Sequence, residues 1–528
     1  AILTGAARLC DDVMVPLHRV GDRHPARLEN GVVRTSPGFA EGWHAIAEGG
    51  WVGLAASPAH GGMGLPQTLA TVVNDMMSGA NIALQLAPLL TQGQIEALEH
   101  HASDALKALY LPRLISGEWT GTMNLTEPQA GSDVGALTTR AAPNDDGTHA
   151  ITGQKIYITW GDHDFGGNVC HLVLARLPDG VPGPKGISLF MVPKYLPRPD
   201  GTLGAPNALR VVSLEHKLGL HASPTCVMSY EGATGWLVGA PHGGMAAMFT
   251  MMNNARLGVG AQGIGVAEAA FQQAMAYAAD RRQGRAPGSG TIAEHPDVRR
   301  MLATMKAEIF AARAIALHCA TAIDMATATG AAKWAARAAF LTPIAKAQGT
   351  DIGVEVSSLG IQVHGGMGFI EETGAAQYLR DVRVTAIYEG TNGIQAMDLV
   401  GRKLSDNGDA AFALLDEVCD LAESARSTLP TLADPLWQAA ETLRETTEWL
   451  VLQGAEDRNA GAVPYLRAFA RVLGADAHLR AALSGDAARR NLAAFFIRRI
   501  LPEHAALLAH VREGAADLMA LTPADLAA

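Results

Sequence analysis

The sequence predicts an α+β chain with a β domain set between helical bundles, and three observations carry that prediction. Apolar residues recur at helical spacing up to about residue 118 and again from about 241. Between those limits the chain changes to short, β-branched, alternating runs. After a polar joint near 405, helical spacing resumes and continues to residue 528.

Residues 1–118 are expected to form an N-terminal helical bundle, because Leu86, Leu89 and Leu90, then Leu106, Leu109 and Tyr110, fall on single helical faces with Gly and Pro at the joints. Residues 119–240 are expected to form an antiparallel sheet, either a barrel or a sandwich. Runs 151–159, 169–175 and 187–192 read as strands, with Pro178-Asp179-Gly180-Val181-Pro182-Gly183 as the turn between two of them. Residues 241–404 return to long Ala- and Leu-rich helices over 259–279 and 301–329, a second bundle. Residues 405–528, opened by Ser405-Asp406-Asn407-Gly408-Asp409, predict an additional C-terminal helical domain with helices over 436–452 and 491–500.

Composition narrows the class. At roughly 100–200 residues per domain, 528 residues hold about three or four domains. Hydrophobic residues at 48% against 18% charged give the balance of a globular enzyme. A net charge of −11 leaves no excess of Lys and Arg to neutralise phosphates, so neither nucleic acid nor an anionic membrane is an expected partner. Five cysteines, odd in number and far apart, form no C-x-x-C pair, and no H-E-x-x-H occurs, so neither a disulfide framework nor a metal site is expected. Apolar stretches such as 311–322 are interrupted by Arg313 and His318 short of the ~18 residues of a spanning helix, so no membrane span is expected. The opening Ala1-Ile2-Leu3-Thr4 shows no leader, and a segment upstream of it is left open. Reduced thiols without an address point to the cytoplasm.

Gly258-Val-Gly260-Ala-Gln-Gly263 fits G-x-G-x-x-G, and Asp280 lies about 20 residues on. A dinucleotide fingerprint needs a strand before it, and the methionine-rich run 245–254 is not one. These glycines are expected instead to let two helices approach closely.

Other motifs point to chemistry. Met123-Asn-Leu125-Thr126-Glu127-Pro128-Gln-Ala-Gly131-Ser132-Asp133 offers hydroxyl and backbone hydrogen bonds from a turn, and Lys155-Ile-Tyr157-Ile158-Thr159 follows at fixed distance. This pair resembles the acyl-CoA dehydrogenase family. The resemblance continues through Lys217-Leu-Gly-Leu-His-Ala-Ser223, Asn253-Asn254-Ala255-Arg256, Asp280-Arg281-Arg282-Gln283, Gln362-Val-His364-Gly365-Gly366-Met-Gly368 and Tyr388-Glu389-Gly390-Thr391-Asn392.

The resemblance implies an FAD enzyme that oxidises an acyl-CoA to its 2,3-enoyl-CoA. Position by position it implies that Met123, Leu125, Thr126, Gly131, Ser132, Tyr157, Ile158, Thr159, Gly390, Thr391 and Asn392 line the flavin. Ser132, Asn253, Arg256, Glu389 and Gly390 would meet the acyl-CoA. Arg281, Gln283, Gln362, His364, Gly365 and Gly366 would reach the diphosphate half of the flavin held by a neighbouring subunit, through a guanidinium fork and open glycine backbone. That implies a homodimer or higher homo-oligomer, with an electron-transfer flavoprotein as acceptor and the appendage in place of the second dimer of family tetramers. Tyr157 stands where the family has Trp, which keeps a ring and loses the indole donor. His364 stands where an aromatic residue is common and reads as a packing substitution, and Gly393 replaces a glutamate or glutamine.

Glu389 inherits the role of the base that takes the α proton. A free Glu near pKa 4.3 is a feeble base, whereas enclosure disfavours its charge and can raise it toward about 6–7. The resemblance implies the Glu389 N–H and a ribityl hydroxyl as donors for the thioester oxygen, where enolate character develops. Phrases such as Gly235-Trp236-Leu-Val-Gly239 and Val463-Pro-Tyr465-Leu-Arg, with the C-terminal domain, resemble the branch whose substrates include 3-methylthiopropanoyl-CoA as well as fatty acyl-CoA thioesters. The acyl pocket is expected among residues 85–94. Two rival readings stand beside this one: an acyl-CoA oxidase, which admits oxygen to the reduced ring, and a DNA-binding alkylation-response member, which requires a basic surface that the acidic balance disfavours.

Overall fold

The computed structural model describes residues 1–285 and 287–528, which divide into two compact units, 1–255 and 256–528. The first unit opens with α1 (Ile2–Leu9), a π-helical turn over Cys10–Met14 and α2 (Val15–Arg23). A hairpin of β1 (Arg27–Glu29) and β2 (Val32–Arg34) follows, then α3 (Phe39–Glu48), α4 (Gln67–His101) and α5 (Asp104–Ile115). The helical expectation for this region misses the hairpin. Its signal is Asn30-Gly31, both at positive φ (51° and 77°), the pairing that matches the twist of a two-residue hairpin turn. Most of α4 is buried, and Asn81 at φ −164°, ψ 91° breaks its helical geometry.

The strands are β3 (Thr120–Asn124), β4 (Arg140–Pro143), β5 (His149–Thr159), β6 (Val169–Arg176), β7 (Ile187–Pro193), β8 (Tyr195–Pro197), β9 (Leu203–Pro206), β10 (Leu209–Leu214) and β11 (Thr225–Val238). β11 pairs with β5, β5 with β4, β4 with β6, β6 with β7, and β7 returns to β11, so these five strands close into a ring. β10 extends the sheet from β11 and β3 from β6. The antiparallel expectation holds except where β6 runs parallel to β3 and β4. Ile151, Val173, Phe190, Val192, Met228 and Tyr230 fill the interior, as alternation along half-buried strands requires.

α6 (Gly244–Asp280) begins in the first unit and enters the second, which continues with α7 (Pro296–Thr329), α8 (Ala332–His364), α9 (Ala375–Val382) and α10 (Asn392–Asp398). The C-terminal helices are α11 (Asp409–Ala425), α12 (Pro430–Val451), α13 (Ala455–Ala460), α14 (Ala462–Leu483), α15 (Ala487–Arg499), α16 (Glu503–Arg512), α17 (Ala516–Ala520) and α18 (Pro523–Ala527). α6 and α8 run side by side in the same direction. A Cβ on Gly260 would stand 2.6 Å from the Ala345 carbonyl, one on Gly263 2.2 Å from that of Gly349, and Tyr277 stacks on His364 farther along. The G-x-G-x-x-G glycines therefore serve close helix packing inside a long helix.

α14 packs against α7, α8 and α10, with Phe469 edge-on to Phe340 at 5.0 Å, so the C-terminal helices share one core with those before them. Among the described residues, α7 alone is long and apolar enough to cross a membrane by length and composition. Its apolar residues Met305, Ile309, Ala312, Ala316 and Cys319 are buried in that core, which accounts for its composition.

Candidate active site

In the second unit the chain leaves α9 through a tight turn over Arg383–Ala386 and reaches Glu389 at φ +56° and Gly390 at φ +83°. A left-handed conformation costs a non-glycine residue of order 1–3 kcal/mol, so the surroundings must hold Glu389 there. They do so from two sides. Thr391 caps α10, its hydroxyl accepting from the Ile394 N–H at 3.3 Å, and Gln395 Nε2 donates back to the Glu389 carbonyl at 3.1 Å. From α8, Lys346 Nζ donates to the Gly390 carbonyl at 3.0 Å and to Asn392 Oδ1 at 2.9 Å. Asn392 Nδ2 in turn donates to Thr350 Oγ1 at 3.0 Å and Asp351 Oδ1 at 2.6 Å.

The Glu389 carboxyl is treated differently from the backbone that carries it. Its Oε2 is buried with no hydrogen-bond partner. Burial pushes the carboxyl up to about 7, against the opposing fields of Arg256 and Lys346. Arg256, on α6, is itself buried, with Nη1 3.6 Å from Asp398 Oδ2. Lys346 is fully buried, and desolvation brings its ammonium down to about 8. Tyr388 donates from its hydroxyl to Gln262 Oε1 at 2.5 Å, and burial raises its phenol.

Not all the sequence-predicted residues of this unit gather here. α6 carries the chain roughly 35 Å between Arg256 and Asp280, and α8 roughly 24 Å between Lys346 and Gln362, at 1.5 Å per residue. Arg281, Gln283, Gln362, Gly365 and Gly366 are thus exposed at the far end of the paired helices. His364 is turned inward there, stacked on Tyr277 at 4.5 Å and bonded through Nδ1 to the Gly360 carbonyl at 2.7 Å. Gly365 has φ +61°, and no atom lies within 4 Å of a Cβ built on it or on Gly366, so that backbone is open to close approach by a ligand.

In the first unit, Met123 closes toward the end of β3, and the loop after it is anchored by Glu127. One Glu127 oxygen accepts from Lys155 Nζ at 2.8 Å and the Thr139 N–H at 3.0 Å, the other from the Thr138 N–H at 2.7 Å and Gln129 Nε2 at 2.7 Å. Lys155 also donates to the Leu125 carbonyl at 2.9 Å, and Ile156 N–H to that of Thr126 at 3.0 Å. Desolvation opposes the Glu127 charge, but the Lys155 ammonium and the hydroxyl and amide donors outweigh it and bring the carboxyl down to about 2. Gly131 and Ser132 stand exposed on the loop so fixed. On β5, Tyr157 is exposed at φ +60° and Thr159 half-buried, while Ile158 points into the barrel and leaves only its backbone to a ligand. Asn253 is exposed on α6. Residues 85–94 are almost wholly buried in α4, where Gln94 Oε1 has no hydrogen-bond partner.

Sequence reasoning missed Lys346, Thr350, Asp351, Gln395 and the Glu127–Lys155 pair. Lys346 had a signal: it is a lone cation in the apolar helical run Pro343-Ile-Ala-Lys346-Ala. Among the described residues no cluster of three metal-ligating side chains is assembled, and the five cysteines are unpaired. In the second unit the open glycine backbone at 365–366 would admit an anionic group and the unpartnered Glu389 Oε2 would accept a proton, and in the first unit the Gly131-Ser132 loop is exposed.

Family models match nearly the whole chain: "Acyl-CoA dehydrogenase, N-terminal domain" over residues 7–118, the middle domain over 122–233, the C-terminal domain over 242–404, and "Acetyl-CoA dehydrogenase C-terminal like" over 412–522. The chain is 45% identical to a 3-methylmercaptopropionyl-CoA dehydrogenase of Ruegeria pomeroyi, covering 88% of this chain and 82% of that one. It is 37% identical to a butyryl-CoA dehydrogenase of Syntrophomonas wolfei, over 80% and 72%. The FAD-complexed acyl-CoA dehydrogenase of Bacillus anthracis has the same fold, with a TM-score of 0.81 at 20% identity over 100% of this chain and 90% of that one. This chain belongs to the acyl-CoA dehydrogenase family, and is an FAD-dependent oxidoreductase of acyl-CoA thioesters.

Proposed function

We propose that this enzyme oxidises a short-chain acyl-CoA, with 3-methylmercaptopropionyl-CoA the leading substrate ahead of longer fatty acyl-CoA thioesters, and that Glu389 is its base. The observation that carries the reading is the Glu389 carboxyl: one oxygen buried without a partner, on a turn held at positive φ, with its pKa raised to about 7. A carboxylate so placed gains by taking a proton and titrates where base catalysis at neutral pH is efficient. The likeness to the Ruegeria enzyme supports the substrate.

Glu389 takes the α proton, and the electrons of that C–H bond become the new Cα=Cβ bond as a hydride leaves the β carbon. Bound FAD supplies the two-electron acceptor for that hydride. Arg256 and Lys346 keep a share of Glu389 ionised despite its burial, and the Lys346 and Gln395 hydrogen bonds keep the turn from drifting. The Glu389 N–H is assigned to the thioester oxygen, where it would offset developing negative charge.

The cofactor is assigned to Met123, Leu125, Thr126, Gly131, Ser132, Tyr157, Ile158 and Thr159 in the first unit, and to Gly390, Thr391 and Asn392 in the second. Ser132, Asn253, Arg256 and Gly390 are assigned to the acyl-CoA. The length of α6 and α8 supports giving Arg281, Gln283, Gln362, His364, Gly365 and Gly366 to the flavin of a second copy, and so a homodimer at least. An electron-transfer flavoprotein is the proposed acceptor and the cytoplasm the proposed compartment. The test is a thioester panel on the purified holoenzyme with an artificial electron acceptor. The highest kcat/KM should fall on 3-methylmercaptopropionyl- and butyryl-CoA without peroxide release. A preference for palmitoyl-CoA would reject the substrate, and peroxide in stoichiometric yield would make the enzyme an oxidase.

A further inference from the structure

The C-terminal helices reach the catalytic turn through a chain of charges. Glu308 on α7 and Arg471 on α14 form a buried pair at 2.6 Å. Arg471 also pairs with Glu503 on α16 at 2.6 Å, and Glu503 with Arg467 on α14 at 2.9 Å. Arg467 Nη1 then meets Glu355 on α8 at 2.7 Å. One helical turn before Glu355, Asp351 lies in the field of both Arg467 and Glu355, and accepts the Asn392 hydrogen bond at 2.6 Å. Asn392 is the residue that Lys346 grips together with the Gly390 carbonyl. α10, which starts at Asn392, packs directly on α14, and Arg458 of α13 donates to the Val400 carbonyl at 3.3 Å just past its end. Elements of the C-terminal appendage thus pack on α8 and α10, the two helices whose Lys346 and Gln395 hold the turn carrying Glu389.

We propose that Arg467 is a positioning residue for the reaction: through Glu355 and Asp351 it steadies the Asn392–Lys346 clamp, and its charge offsets Glu355, with which it pairs, and Asp351, which bonds Asn392. The appendage is on this account a part of the active-site scaffold. Without Arg467, Glu355 loses the cation that pairs with it across to α14, and Asp351 keeps Lys346 as its neighbouring cation. The charged groups acting on Glu389 are Arg256 from α6 and Lys346 from α8, and those acting on Lys346 include Asp351. Arg467 reaches this set through Asp351, so removing its charge makes the potential around Asp351 and Lys346 more negative and thereby raises the pKa of Glu389. Removing an anion lowers it. Opposite shifts from the two partners of one ion pair are a signature that general loosening of the bundle does not produce.

The proposal rests on Glu389 being the base, and Glu389→Gln tests that reading alone, so the two can fail separately. The experiment uses holoenzyme and follows two quantities against pH: flavin bleaching at saturating acyl-CoA, and α-proton exchange of acetyl-CoA in D2O, which has no β carbon to lose a hydride. Arg467→Met should slow both by about tenfold, as expected of small misplacement of a reacting group, with KM within twofold. Its acid limb should move up by about half a pH unit, the size expected of one charge acting across a screened distance. Glu355→Gln, an isosteric change at a half-exposed site, should move the acid limb down. Arg480→Met, on the same helix and paired with Asp476, should leave rates and pH profile at wild-type values. Unmoved acid limbs in Arg467→Met and Glu355→Gln, limbs moving in the same direction, or an equal loss in Arg480→Met would each overturn the proposal. If Arg467→Met does not fold, the direction of the Glu355→Gln shift decides.

Discussion

Two loops of this molecule are each held by a fully buried lysine, and their neighbouring glutamates end in opposite states. In the first unit Lys155 pairs with Glu127, whose two oxygens are saturated with donors, and the carboxyl sits near pKa 2. In the second, Lys346 spends its hydrogen bonds on the Gly390 carbonyl and on Asn392, leaving Glu389 Oε2 with no partner and the carboxyl near 7. Burial is common to both. What differs is where the donors point: at the carboxylate, which makes a structural clamp, or at the backbone beside it, which makes a base.

The same substitution should therefore have different consequences at the two sites. Lys155→Met strands the buried Glu127 charge and should destabilise the protein by about 3–5 kcal/mol in urea unfolding. Lys346→Met should cost less stability, because it leaves no carboxylate stranded by a lost hydrogen bond. Its main effect should be to remove one of the two cations that favour ionised Glu389, beside Arg256, moving the acid limb of flavin bleaching to higher pH and slowing the rate at pH 7 by about tenfold. Equal stability losses without a pH shift would erase the contrast. Gly390→Ala is smaller again. Its Cβ would stand 2.8 Å from Gln395 Nε2 at φ +83°, so a cost of about 1–2 kcal/mol and a loosened turn are expected, read as a lower Tm and a lower kcat with KM little changed.

The smallest effect concerns pH alone. Glu127, depressed from 4.5 to about 2, contributes stability that is full above pH 4.5 and is lost progressively as pH falls from there through 2. Glu389, raised from 4.5 to about 7, contributes stability that is full below 4.5 and lost as pH rises through 7. Near pH 5–6 the enzyme should thus remain folded by circular dichroism while its turnover falls, on the titration of a single carboxyl that spans about two pH units around 7. Unfolding that tracks the loss of turnover would contradict this separation.

The α+β fold class was legible because helical and alternating periods survive wherever one face of an element meets water. Where every face is buried they fade. The first turns of α6, from Gly244, carried no clear period because Met248 and Met251 lie buried in a run of Met and Ala with little polar stripe to reveal it. At the site, Glu389 through Asn392 were legible as a contiguous motif. Lys346, Thr350 and Asp351 were not, because they join it only through the packing of α8 beside the turn, some forty residues removed along the chain. The Glu127–Lys155 pair stayed hidden for the same reason: a charge in the loop after β3 and one on β5 signal a partnership only once β5 lies beside that loop.

The most direct test of Glu389 as the base separates proton removal from oxidation. Wild-type holoenzyme and Glu389→Gln are each incubated with acetyl-CoA in D2O, and loss of the α protons is followed by NMR. Exchange is expected from the wild type, and none above background from the variant, while the variant keeps its FAD and still binds the thioester. Exchange by Glu389→Gln at the wild-type rate would show that another group takes the proton.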